Sequence, residues 1–322
     1  GFRLDGVTAS DWSGFSVSAA GDVNGDGFDD IIVGAAVADP DSLSAAGESY
    51  VVFGKASGFA SSIDLSTLNG TTGFRLDGAA ASDDAGRSVS AAGDVNGDGF
   101  DDVIVGAYLA NPDSLGYAGS SYVVFGGNFN GQVSFLGDSG ANTLTGTSSA
   151  ENFVAGQGND TINGGGGNDV IRAGAGNDEL RGGSGTDVLR GGSGEDIFGY
   201  SSPTDGGAVS SNQTAAAAGV NGDKIEDIVS GTDKFNFVSS AFGGLSTGAL
   251  TNGTNFSIIT EAYKGDNAGT NSEFTAGDPT FIFDSTDTLY YDSNGSSAGY
   301  TVVATMTGTN ITAADVEIVS SL

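Results

Sequence analysis

An apolar side chain recurs at every ninth position just past the middle of the chain: Ile162, Ile171, Leu180, Leu189 and Phe198. Two residues before each stands an acid: Asp160, Asp169, Asp178, Asp187 and Asp196. The five nonapeptides that carry them, AGQGNDTIN, GGGGNDVIR, AGAGNDELR, GGSGTDVLR and GGSGEDIFG, run from 155 to 199 without a gap. A fixed short period means one structural unit stacked on copies of itself. The last three residues of each unit make a minimal strand whose middle side chain points inward. Glycines at the first, second and fourth positions let the backbone turn and expose its carbonyl oxygens. Successive units then lie on opposite sides of a flattened coil, so units 18 residues apart stack. A flexible glycine-rich linker would not hold an acid and an apolar residue in register five times.

Residues 1–127 show a second pattern, short strands repeated at an offset of 72. GFRLDG stands at 1 and 73, SVSAAGDVNGDGFDD at 16 and 88, and SYVVFG at 49 and 121. Alternating apolar and β-branched residues predict four strands per copy, with Gly, Asn, Asp and Ser supplying turns. Four short strands in a repeat of this length suit a propeller blade. The C-terminal stretch predicts further strands near 256–260, 281–284, 289–292 and 300–306, the last two as a hairpin. Residues 215–218, four alanines, read as a surface loop or a short helix. The aromatic clusters Phe235, Phe237 and Phe242, Phe281 and Phe283, and Tyr290 and Tyr291 read as core rather than as a ligand platform.

Stacking the nonapeptides pairs Asp160 with Asp178, Asp169 with Asp187, and Asp178 with Asp196. Carboxylates so placed repel unless a cation lies between them. Six to eight oxygen ligands suit Ca²⁺ better than Mg²⁺ or Zn²⁺. The repeat resembles the RTX (repeat-in-toxin) family pattern GGxGxDxUx, which implies a parallel β-roll that folds on Ca²⁺ and a chain secreted by a type I exporter. Upstream the pattern decays. In GDSGANTLT and GTSSAENFV the acid position holds Asn142 and Glu151, an imperfect first coil.

Each 72-residue copy also holds DVNGDGFDD. Asp22, Asn24, Asp26 and Asp30 fall at positions one, three, five and nine, and Asp94, Asn96, Asp98 and Asp102 repeat the set. Alternate oxygens on a glycine-rich loop can surround one hard cation, with the carbonyls of Phe28 and Phe100 as further ligands. An EF-hand would need a Glu at position twelve, where Val33 and Val105 stand. The loop, with VGAAVAD, VGAYLAN and VVFG around it, resembles the FG-GAP repeat of integrin α-subunit propellers. Family propellers close with seven blades, and this chain has two. The resemblance therefore implies missing upstream blades or completion by another chain. Residues 200–322 resemble the C-terminal domain that follows the β-roll in serralysin-type proteases, most specifically in GDKIEDIVSGTDKFNF. The final ITAADVEIVSSL is similar to tails read by type I exporters. Asp223, Glu226, Asp227 and Asp233 either bind a further ion or are solvated charge.

Composition sharpens the picture. The chain has 322 residues, 41 acids against 10 bases, and a net charge of −31. That opposes binding to nucleic acid or anionic membranes and favours bound cations. With neither cysteine nor histidine, it has no disulfide, no HExxH zinc site, no Ser-His-Asp triad and no histidine base. No apolar run has the length of a membrane span. The opening GFRLDG, with no initiating Met or signal sequence, suggests a processed product or part of a longer protein.

The sequence thus predicts an all-β protein: two FG-GAP propeller-type blades (1–72 and 73–130), an RTX parallel β-roll with a degenerate first coil (131–199), and a C-terminal antiparallel β cap with a secretion signal (200–322). The expected function is that of a secreted, non-enzymatic calcium-binding protein of the cell surface or extracellular matrix, adhesive or structural, that assembles on Ca²⁺. The alternatives are a ligand-binding propeller module and the delivery half of a longer secreted enzyme.

Overall fold

The computed structural model describes residues 1–206, 209–210, 222–242, 245, 248–249, 256–258, 280–283, 287–292, 300–307 and 311–322. These form two compact units, Gly1–Val133 and Ser134–Leu322. Both are all-β. The described residues contain strands and four 3₁₀ turns, and no α-helix.

The first unit contains β1 (Arg3–Asp5), β2 (Ser13–Gly21), β3 (Asp30–Ala35), β4 (Glu48–Val52), β5 (Ser62–Asp64), β6 (Gly73–Asp77), β7 (Ala85–Gly93), β8 (Asp102–Ala107) and β9 (Ser120–Val124). They form an antiparallel sheet β2-β3-β4-β6, a second sheet β7-β8-β9, and a parallel pair β1-β5. The expected grouping of strands differs in both copies, since β1 leaves its own sheet to pair with β5. GFRLD of the second copy does not join its own sheet. As β6 it pairs antiparallel with β4 of the first copy, which would otherwise present an unpaired edge.

Strand alternation gives the first sheet two apolar faces. Val23, Ile32, Val51 and Phe53 pack against Ala85, Val103 and Val105 of the second sheet. Val33, Ala35, Tyr50 and Val52 on the other face are covered by Leu4, Ile63, Leu65 and Leu68, from β1, β5 and the turn after β5.

The second unit is a flattened coil. One sheet begins β10 (Phe135–Leu136), β12 (Asn152–Gln157), β14 (Val170–Ala175) and β16 (Val188–Ser193). The opposite sheet begins β11 (Thr143–Thr145), β13 (Thr161–Gly166), β15 (Glu179–Ser184) and β17 (Ile197–Tyr200). All these pairings are parallel, and every register is 18 residues: Ile162 opposes Leu180, Ile171 opposes Leu189, and Leu180 opposes Phe198. The apolar residue of each unit is fully buried between the sheets, as the period-nine pattern requires.

The C-terminal region is not a separate cap. Short strands β18 (Val209–Ser210), β19 (Asp223–Ile225), β20 (Lys234–Val238), β21 (Gly248–Ala249), β22 (Phe256–Ile258), β23 (Thr280–Phe283), β24 (Thr288–Asp292), β25 (Tyr300–Met306) and β26 (Val316–Val319) continue both sheets of the coil. Strand β19 pairs parallel with β16, and β20 pairs parallel with β17. Beyond them β25 and β26 also add in parallel, while β23, β24 and β25 form the antiparallel part, including the expected hairpin β24–β25. The physical reason is the edge. The last coil leaves β16 and β17 with unpaired backbone groups, and the next strands satisfy them. Phe235, Phe237, Phe242, Phe281, Phe283, Tyr290 and Tyr291 are all core residues, at most 3% exposed. Residues 215–218 and the loop of the hairpin, 293–299, lie outside the described residues, as do 259–260 and Asp284 of the expected strands.

Candidate metal centres

Each nonapeptide turn is set by two glycines. The second and fourth positions take positive φ, for example +108° at Gly174 and +143° at Gly176, a region open mainly to glycine. The turns are also stacked tightly. A Cβ at Gly176 would lie 1.8 Å from the Gly158 carbonyl oxygen of the turn below. The first position behaves differently from the sequence-based expectation. It has no positive φ, and Ala155 and Ala173 occupy it in two of the units. Where it is glycine, as at Gly182, the missing side chain leaves room for the unit's own acid: a Cβ there would lie 2.2 Å from Asp187 Oδ2.

The acids end these turns and form two ladders. The backbone N–H of Asp160 donates to Asp178 Oδ1 (2.7 Å), and that of Asp178 to Asp196 Oδ1 (3.0 Å). On the opposite edge the Asp169 N–H donates to Asp187 Oδ1 (2.8 Å). The degenerate positions join through their backbones, Asn142 N–H to Asp160 Oδ1 (2.7 Å) and Glu151 N–H to Asp169 Oδ1 (2.9 Å). Asn159, Asn168 and Asn177, one residue before the acids, repeat the device by accepting the N–H of the residue 18 positions on.

One carboxylate oxygen is therefore spent on the backbone. The other, Oδ2 of Asp160, Asp169, Asp178 and Asp187, is buried with no hydrogen-bond partner. Burying an ionised oxygen unpaired is strongly unfavourable. Burial accordingly pushes Asp169 and Asp178 up to about 6 and Asp187 and Asp196 up to about 7. The ladder neighbour's charge raises each further, and the backbone N–H donor lowers it. A cation satisfies the orphaned oxygen and cancels the repulsion together. The available donors are carboxylates, amide oxygens and backbone carbonyls, the set of a hard ion such as Ca²⁺. An open groove of about 400 Å³ runs along Asp160, Asp178 and Asp196. Among the described residues no three acidic side chains converge into a cage. A ladder site must then complete its shell with backbone oxygens.

The ladders outrun the repeats. The Asp187 N–H donates to Asp223 Oδ1 and the Asp196 N–H to Asp233 Oδ1, both at 3.0 Å, across 36 and 37 residues. Sequence reasoning left these two acids undecided. The signal was present: Asp223-Lys-Ile225 and Asp233-Lys-Phe235 keep the repeat's acid and its apolar residue two positions later. Glu226 instead pairs with Lys224 (2.7 Å) on the surface, and Asp227 accepts the N–H groups of Gly191 (3.0 Å) and Gly192 (2.7 Å).

In the first unit the two DVNGDGFDD loops fold alike. Asp22 Oδ1 accepts from Gly25 N–H (2.8 Å) and Asp26 N–H (3.1 Å), and its Oδ2 from Gly27 N–H (2.6 Å). Asn24 Oδ1 also accepts from Asp26 N–H, and Asn24 Nδ2 donates to Asp26 Oδ2, both at 3.0 Å. Asp94, Asn96 and Asp98 reproduce these bonds. Asp30 ties its loop to the sheet by accepting from Val23 N–H (2.9 Å) and Gly54 N–H (2.7 Å), as Asp102 does from Val95 and Gly126. Burial pushes Asp30 up to about 8, with Asp22 and Asp26 adding repulsion against the backbone donors. Phe28 and Phe100, expected as carbonyl ligands, donate their N–H groups to Asp26 and Asp98. Asp101, outside the expected set, links the loops: its Oδ2 accepts from Asp22 N–H at 2.9 Å.

The RTX calcium-binding nonapeptide repeat model matches residues 136–171, 145–180 and 163–198. The FG-GAP repeat model matches 13–52 and 85–124. No curated protein matches the chain. Two solution structures from the Azotobacter vinelandii mannuronan C5-epimerase are similar. The AlgE6R2 subunit is 21% identical, covering 59% of this chain and 94% of its own, with a TM-score of 0.25. The AlgE6R3 subunit is 23% identical, covering 57% and 80%, with a TM-score of 0.21. No helix among the described residues is long and apolar enough to cross a membrane. The chain carries RTX calcium-binding nonapeptide repeats and two FG-GAP repeats.

Proposed function

We propose that this chain is a secreted structural or adhesive protein of the bacterial cell surface or extracellular matrix, which folds and then assembles on Ca²⁺. The observation that carries the reading is the row of buried, partnerless Oδ2 atoms on Asp160, Asp169, Asp178 and Asp187. Where Ca²⁺ is scarce the ladders repel and the coil stays open. At extracellular Ca²⁺, sites with dissociation constants of about 10⁻⁴ to 10⁻³ M fill, and binding free energy becomes folding free energy. An open acidic chain suits passage through a type I exporter. The C-terminal tail supports recognition before folding, since Val316 and Ile318 are buried in the folded protein. The ligands in this reading are the ladder acids and, in the first unit, Asp22, Asn24, Asp26, Asp30, Asp94, Asn96, Asp98 and Asp102. The acids serve ions rather than catalysis.

Assembly is supported by an asymmetry between the two FG-GAP sheets. Val23, Val51 and Phe53 are at most 3% exposed, while their counterparts Val95, Val123 and Phe125 are 58%, 42% and 52% exposed. The second sheet thus presents the face that the first sheet buries. The first sheet's outer face is already covered by Leu4, Ile63, Leu65 and Leu68. This favours face-to-face pairing of two copies over open-ended stacking of blades.

The test is secondary structure and particle size against free Ca²⁺, from chelator to about 10 mM, spanning the extracellular range. A gain of β signal with larger particles is expected, and Val123→Lys should keep the first and lose the second. A β signal indifferent to Ca²⁺ would overturn the reading. A second reading, a ligand-binding module, draws on the exposed row Trp12, Phe15 and Tyr108, with the Arg87 guanidinium 4.8 Å and 4.5 Å from the latter two rings.

A further inference from the structure

The two FG-GAP copies are identical over 16–30 and 88–102. Beside that stretch they exchange large side chains at three matching positions: Trp12 against Asp84, Phe15 against Arg87, and Ala36 against Tyr108. Four of these side chains, two from each copy, meet in one row. The Trp12 and Phe15 rings lie nearly parallel, at 12°, with centroids 6.1 Å apart. The Arg87 guanidinium carries the row on, 4.8 Å from the Phe15 ring and 4.5 Å from that of Tyr108. Neither copy holds the row by itself, since β2 supplies Phe15 and β7 supplies Arg87.

Trp12 stands in the left-handed region, at φ +57°, and Asp84 takes the same conformation, at φ +52°. Aspartate enters this region readily and a bulky aromatic does not. The turn itself needs no tryptophan. The Phe15 N–H donates to the Trp12 carbonyl (3.0 Å) and the Arg87 N–H to the Asp84 carbonyl (3.3 Å), the same bond in both copies. Nor does burial offset the strain: Trp12 is 58% exposed, with Phe15 at 45% and Tyr108 at 48%. An exposed aromatic held at a strained position points to a role outside the fold.

The occupant follows from the lining. Exposed, nearly parallel rings suit a ligand with flat apolar faces. Beside them Arg87 supplies donors and Asp84, 4.0 Å from it, supplies acceptors. Hydroxyls, which both donate and accept, satisfy the two together. The net charge of −31 opposes a polyanion. Flat faces, many hydroxyls and no charge describe a neutral polysaccharide of pyranose rings. We propose that Trp12, Phe15, Arg87 and Tyr108 form a binding platform for such a polysaccharide. The rings stack on the C–H faces of the sugars, and Arg87 and Asp84 take their hydroxyls. The proposal rests on the ligand-binding reading of this row and names its ligand.

The test uses the full chain in saturating Ca²⁺. Trp12, the chain's one tryptophan, reports on its own site. Cellohexaose and xylohexaose, neutral and flat, should shift its emission saturably, and an acidic oligogalacturonate should not. The variants borrow the residue that the other copy carries at the same position, which the repeat already accommodates. Tyr108→Ala should weaken binding by about tenfold, the loss of one stacked ring, read from Trp12 emission. Trp12→Asp should abolish binding, read by isothermal titration calorimetry, with a urea midpoint equal to or above that of the wild type. Unchanged affinity in both variants would overturn the platform. Emission that shifts with oligogalacturonate alone, or with no sugar while Trp12→Asp keeps its urea midpoint, would overturn the neutral polysaccharide and leave a ligand-binding row. No shift with any sugar, together with a urea midpoint lowered in Trp12→Asp, would make the row a packing feature and overturn both readings.

Discussion

Asp160, Asp169, Asp178 and Asp187 divide their two oxygens: Oδ1 holds the backbone of the turn below, and Oδ2 is left buried without a hydrogen-bond partner. Asp178→Asn separates them, because an amide oxygen still accepts the Asp160 N–H now bonded at 2.7 Å. The expected result is a Ca²⁺ midpoint raised by about tenfold with the same final β signal, read by circular dichroism. Acidity gives a second prediction. Burial pushes Asp169 and Asp178 up to about 6 and Asp187 and Asp196 up to about 7, above the ordinary value of about 4 for an unfolded chain. Between those limits the metal-free folded state binds more protons than the unfolded one. Its stability therefore falls as pH rises from about 4 to about 7. In chelator, β signal should be greater at pH 4.5 than at pH 7.5, whereas Ca²⁺ should be released as pH drops through the same window. Glycine gives a third. Gly176→Ala forces a side chain into positive φ, at about 1–2 kcal/mol, and into the carbonyl 1.8 Å away. It should lower the urea midpoint in saturating Ca²⁺ by more than the torsional cost, whereas Ala173→Gly, at a first position that glycine fills in three other units, should cost only about 0.5–1 kcal/mol.

At the scale of elements, the coil is stabilised by what ends it. Strands β16 and β17 would be open edges without β19 and β20. The ring of Phe235 packs at a tilt against the last apolar position of the repeat, its centroid 5.8 Å from that of Phe198. Phe235→Ala, at a fully buried site, should cost about 3–5 kcal/mol and raise the Ca²⁺ needed for folding. A variant that titrated like the wild type would show that the coil folds without its terminal strands. In the FG-GAP sheets the corresponding device is β6, a strand of the second copy that closes the first sheet.

At the scale of the whole molecule, the net charge of −31 opposes compaction by self-repulsion, which bound cations relieve. The two units provide separate reporters. The single tryptophan, Trp12, lies in the first unit, while the coil dominates the parallel β signal. Asp178→Asn should shift the coil transition and leave the Trp12 fluorescence titration unmoved. Asp94→Asn should do the reverse. Coincident shifts in both would mean that the units fold as one.

The sequence by itself determined the coil. Its period of nine fixes which residue turns, which is buried and which carries charge, because each unit repeats the same local problem and meets only its neighbours. It likewise determined the metal-type loops, where alternate oxygens and glycines lie within nine residues. Tertiary structure decided what depends on non-local pairing. Two identical GFRLD runs take different partners, β1 lying parallel to β5 and β6 antiparallel to β4, since a strand's edge is chosen by which neighbour is left unpaired. Asp205 keeps the repeat register yet yields its ladder place to Asp223. Strand pairing, not local spacing, places the second carboxylate, because Asp223 opens β19, which lies parallel to β16 at the end of the coil.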